Sequence, residues 1–98
     1  MNDKVLVELM SQKSVLCRMR DSLQDLLEEN YAEQCNYEEQ LKDNAGKEQV
    51  ITENGRIINF LGDLRKQQIV KGQELNAVLF SIRLVDEKIL SVKERQGV

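Results

Sequence analysis

The sequence predicts an all-α fold: a long antiparallel two-helix coiled-coil hairpin that assembles into a four-helix bundle. Three observations carry this. Apolar residues recur at heptad spacing through most of the 98 residues. Proline is absent, so nothing breaks a long helix. One tetrad, Asp43-Asn44-Ala45-Gly46, gathers turn-forming residues between two periodic halves. The expected organisation is one helical hairpin over 1–98, with a helix over 3–43, a turn over 43–47 and a helix over 47–96.

In the first helix one seven-residue column holds Leu9, Leu16, Leu23, Asn30 and Tyr37. A second, offset by three or four, holds Val5, Gln12, Met19, Leu26, Glu33 and Gln40, with Leu6, Leu27 and Leu41 widening the stripe. The second helix is more regular. Val50, Ile57, Leu64, Lys71, Val78, Val85 and Val92 form one column, and Asn54, Leu61, Gln68, Leu75, Ile82 and Ile89 the other. Polar residues at these seam positions cost stability but set register and partner number. The two halves attract: residues 1–45 carry five basic and ten acidic side chains, residues 56–98 eight basic and five acidic. Exposed ion pairs are worth only ~0–1 kcal/mol each, so burial must do most of the stabilising.

The stretch 49–58 also reads as a β-hairpin with Asn54-Gly55 at its turn. A helix–hairpin–helix order of that kind resembles a prefoldin subunit in architecture. Helix is the expectation here, because the heptad phase passes through Asn54 unbroken and a helical glycine costs only ~1 kcal/mol.

Association is predicted at the end away from the turn. Leu75–Val85 is apolar on nearly every face, with Ala77, Phe80 and Leu84 on outer positions and Ile69 and Val70 extending the patch. Folding about residue 45 sets this region opposite Val5, Leu6, Val7, Leu9 and Met10. A helix apolar all round is normally buried. Leaving some eight large side chains wet, at ~1.5–3 kcal/mol each, forgoes about as much as the whole stability of a small domain. The residues expected to carry association are Val7, Met10, Ile69, Phe80 and Leu84. The partner is a second copy (a homodimer) or helices of a different protein.

Composition excludes much else. Histidine is absent, which removes imidazole chemistry. Cys17 and Cys35 are ~27 Å apart along one helix, beyond disulfide reach, and lack zinc-site spacing. Arg18 and Arg20 near Cys17 raise a reactive thiol as a candidate, against a small hydrophobe beside the stripe. The acidic run Glu28, Glu29, Glu33, Glu38 and Glu39 lacks the loop glycine of a calcium site and reads as a solvated face. Arg65, Lys66 and Lys71 form a modest basic cluster, but a net charge of -3 and few aromatics argue against nucleic acid. No enzymatic activity and no cofactor are expected. Apolar runs are too short for a transmembrane segment, and the first residues carry no secretory signal, so an intracellular location, cytoplasmic or nuclear, is expected.

Over 61–88 the chain resembles the second SNARE motif of the synaptosome-associated SNARE family. The matching residues are Gly62, Leu64-Arg65, Gly72, Glu74 and the layers Leu75, Ile82 and Val85. The resemblance implies a helix that folds within a membrane-fusion bundle. Val78 departs from the family, standing where its central ionic-layer glutamine falls. The leading functional expectation is a non-enzymatic coiled-coil interaction or scaffold subunit of a larger complex. A chaperone-like helical clamp for apolar segments and a SNARE-like bundle helix are the alternatives.

Overall fold

A computed structural model describes residues 2–47 and 51–96. Two α-helices hold nearly all of them: α1, Asn2–Asp43, and α2, Ile51–Gln96. The fold is the all-α helical hairpin. α1 carries Asp3 in its first turn and Lys42 in its last, charges that complement the ends of the helix dipole. After Asp43 the Asn44 N–H still donates to the Gln40 carbonyl at 2.9 Å, Ala45 tightens onto Lys42, and Lys47 closes a turn onto Asn44 at 3.1 Å. Gly46 takes φ of +79° within that turn, the left-handed conformation for which glycine carries no side-chain penalty. Lys47 stands outside both helices. The expected start of the second helix at 48–50, with Val50 of its first column, lies outside the described residues.

Residues 51–58 are helical, so the β-hairpin alternative does not form there. Asn54 faces the seam, where its Oδ1 accepts from Asn44 Nδ2 at 3.1 Å, and Ile57 one turn on is the most buried of the core residues at 3% exposure. Burial of that kind outweighs ~1 kcal/mol for Gly55 in a helix.

In α2 both expected columns face inward. Ile57, Leu61, Leu64, Val78, Ile82 and Val85 are buried, while Asn54, Gln68, Lys71, Leu75, Ile89 and Val92 are half-buried. α1 corrects one expectation. Its column Leu9, Leu16, Leu23, Asn30, Tyr37 does face the seam. The partner column is Leu6, Lys13, Arg20, Leu27, Gln34 and Leu41, all half-buried, whereas Val5, Gln12, Met19, Leu26, Glu33 and Gln40 are all exposed. The true column hides because three of its members are polar. Their stems lie along apolar surface while their heads find partners: Lys13 Nζ on Asp86 at 2.7 Å, Arg20 Nε on Asp21 at 3.1 Å, Gln34 Oε1 on Gln68 at 2.9 Å.

The chain divides into two units. In the first, residues 1–24 with 73–98, the core cluster is Leu23, Val78 and Ile82, with Leu16, Cys17 and Leu75 packed against it. The apolar stretch Leu75–Val85 therefore meets 16–23 rather than Val5–Met10. The Leu23–Val78 packing and the Lys13–Asp86 pair put the mirror point between the helices near residue 50 rather than 45, which shifts every level by several residues. In the second unit, residues 25–72, Ile57, Leu61 and Leu64 are buried and the Tyr37 and Phe60 rings stack with centroids 5.5 Å apart. Gln68 Nε2 donates to Gln34 Oε1, and Asn30 Nδ2 to Gln67 Oε1 at 3.4 Å, so polar contacts at and beside the seam join the two helices here.

Candidate interaction surface

Two antiparallel helices bury one stripe each and leave two edges where the helices meet solvent together. With the seam positions named a (Leu6, Lys13, Arg20; Leu75, Ile82, Ile89) and d (Leu9, Leu16, Leu23; Val78, Val85, Val92), the e positions of both helices share one edge and the g positions the other. The two edges of the first unit differ in chemistry.

The e edge is charged. It holds a groove of about 330 Å³ lined by Met10, Lys13, Ser14, Cys17, Asp86, Ile89 and Lys93. Its centre is the Lys13–Asp86 pair at 2.7 Å. The hydrogen bond to Asp86, and then the Asp86 charge, hold the Lys13 ammonium above its ordinary pKa of 10.5. Cys17 lies half-buried against the Leu23 cluster, so it serves as a small apolar residue; Cys35, in the other unit, is exposed and both thiols are free.

The g edge is apolar. A groove of about 580 Å³ runs between Val15, Met19 and Ser22 of α1 and Ala77 and Val78 of α2, with Leu23 beneath and Arg18 and Glu74 on the rim. A further hollow of about 410 Å³ along Ser11, Gln12, Val15 and Leu16 extends it on α1. Val15, Met19 and Leu84 are exposed on this side. Ser81, between Ala77 and Leu84, turns its hydroxyl back to the Ala77 carbonyl at 3.0 Å, so even this polar side chain offers little to a polar ligand.

All five residues expected to carry association are exposed, between 42% for Leu84 and 65% for Val7. The structure does not gather them. Leu84 belongs to the g edge, Met10 lines the e-edge groove, Val7 sits beside that edge, and Phe80 points away from the seam at the back of α2. Ile69 belongs to the second unit. Ala77 was expected on an outer position, whereas Val15 and Met19 were not expected at a surface. The signal for Met19 was present but absorbed by the wrong column: moved one residue, the seam releases Val5, Met19 and Leu26 as surplus apolar residues.

Among the described residues no three His, Cys, Asp or Glu side chains gather as a metal set, and no helix is long and apolar enough to cross a membrane. Comparison of the chain with protein-family models, with curated proteins and with solved structures finds no match.

Proposed function

We propose that this protein is a non-enzymatic interaction module, a scaffold subunit that works by joining its helical hairpin to further helices in a bundle. One observation supports the reading above others. Among the described residues eight apolar side chains are buried, while sixteen large ones remain at least 41% exposed, so much apolar surface stays uncovered after the hairpin closes. Added helices are the usual cover for such faces in α-proteins, since ridges of one helix fit grooves of the next at 8–10 Å spacing, roughly. A second reading, a clamp for an apolar segment of another protein, is favoured by the mostly apolar walls of the g-edge groove.

Sedimentation equilibrium combined with circular dichroism tests both. A helical chain that associates as concentration rises supports the bundle. A helical monomer throughout removes it in favour of the clamp. A largely unfolded monomer removes both and leaves folding coupled to a partner, as the SNARE resemblance implies.

A further inference from the structure

We infer that the g-edge groove of the first unit is the seat of a second copy of this chain, the two related by a twofold axis running along the helices. α1 of one protomer then lies against α2 of its partner. The inference rests on the bundle reading above and adds the occupant, the face and the arrangement.

Most of the groove lining is uncharged, Arg18 and Glu74 being the exceptions. Val15, Met19 and Ser22 on α1 stand level with Leu84, Ser81 and Ala77 on α2, as the Leu23–Val78 packing and the Lys13–Asp86 pair fix the stagger. Crossing α1 onto the partner's α2 keeps that stagger. Val15 then falls on Leu84, and Met19 on the small side chains Ala77 and Ser81, a large-on-small fit. Beyond the apolar stretch, toward the chain ends, the two helices carry opposite charge on this edge: Glu8 on α1, Lys88 and Arg95 on α2, all exposed. Twofold packing meets every contact twice, residue i on j and j on i. With the axis along the helices, Glu8 of each protomer faces Lys88 and Arg95 of the other, so the edge is complementary to itself. A foreign helix would need to reproduce both charges; a copy already has them. On the e edge the acid and base at the centre of the groove, Lys13 and Asp86, are already joined to each other within one chain.

The charges supply the test. Glu8→Lys gives a chain basic on both helices at this edge, and the double variant Lys88→Glu with Arg95→Glu gives a chain acidic on both. Each alone should dimerise about tenfold more weakly than the parent, the size expected when two symmetric surface contacts change from attraction to repulsion. Mixed in equal amounts they should form a heterodimer of about parental affinity, since unlike charges meet only between the two chains. Pairing within one chain cannot give this rescue, because each variant has like charges on its own two helices. Leu84→Glu, at a side chain already 42% exposed, should abolish the dimer with helicity unchanged by circular dichroism.

Sedimentation equilibrium reads all arms. A parent that dimerises while the charge variants match it, or a mixture no tighter than its components, overturns this face and leaves the bundle reading standing. A parent that remains monomeric at every concentration overturns both, leaving the groove to another protein's segment.

Discussion

Replacing Gly62 and Gly72 with alanine should stabilise the hairpin, and the size of the gain follows from the structure. Both lie inside α2, and a Cβ built at either meets nothing within 4 Å. The methyl therefore brings neither clash nor burial, and only the backbone entropy of the unfolded chain changes. Each substitution is worth ~0.8–1 kcal/mol in a helix interior. The sites are ~15 Å apart along the helix, so the two effects add to about 2 kcal/mol. For a chain near 100 residues that raises the melting temperature by roughly 8–16 °C. Urea unfolding followed at 222 nm, at one fixed protein concentration because association adds its own stability, measures the change. Gly46→Ala is the control with opposite sign. Its φ of +79° strains any side chain, and about 1–2 kcal/mol should be lost. A double variant that gains less than about 0.5 kcal/mol would refute the reasoning, and would show that something in the assembled protein packs against those glycines.

Three further outcomes follow from the seam. Gln34→Leu with Gln68→Leu should be at least as stable as the parent, while either single change costs ~1 kcal/mol by stranding the other amide; a double-mutant cycle in urea with coupling under about 0.5 kcal/mol contradicts the hydrogen bond. Leu27→Gln should cost about 1–2 kcal/mol and Leu26→Gln less than about 0.5, since the first faces the seam and the second is exposed; equal losses would return the column to the register the apolar pattern suggests. The Lys13 pKa lies above 10.5 in the folded protein, so the stability this lysine adds is complete below that pH and lost as pH rises through the raised value. Lys13→Met should flatten the alkaline fall in stability measured by urea titration above pH 10, and an unchanged slope would show that the pair with Asp86 adds nothing.

From Asn54 to Val92 α2 was legible because its two columns are mostly apolar and keep one phase, so counting apolar residues and counting buried ones give the same answer. α1 was half legible. Counting favours Val5, Met19 and Leu26 over Lys13, Arg20 and Gln34, yet long polar side chains can cover a seam and place their heads on partners across it or beside it. Only the partners, Asp86, Asp21 and Gln68, reveal which column is inside, and two of these lie on the other helix. That one-residue error carried into the surface. It kept Met19 out of the exposed set and hid the g-edge groove, whereas Leu84 was found because its position depended on the legible helix. The mispairing of Leu75–Val85 with Val5–Met10 has a separate cause: a turn tetrad does not fix which residues face each other, and contacts such as Leu23–Val78 and Lys13–Asp86 do.

The amide ladder from Asn30 to Gln34 on one helix and Gln67 to Gln68 on the other gives this protein an uneven grip on its own backbone. Side-chain amides trade readily with solvent, so backbone N–H groups beside them should open locally and take up deuterium sooner than those beside Leu23, Val78 and Ile82. Mass spectrometry of exchanged peptides would draw that contrast along each helix, and would locate the segment that yields first.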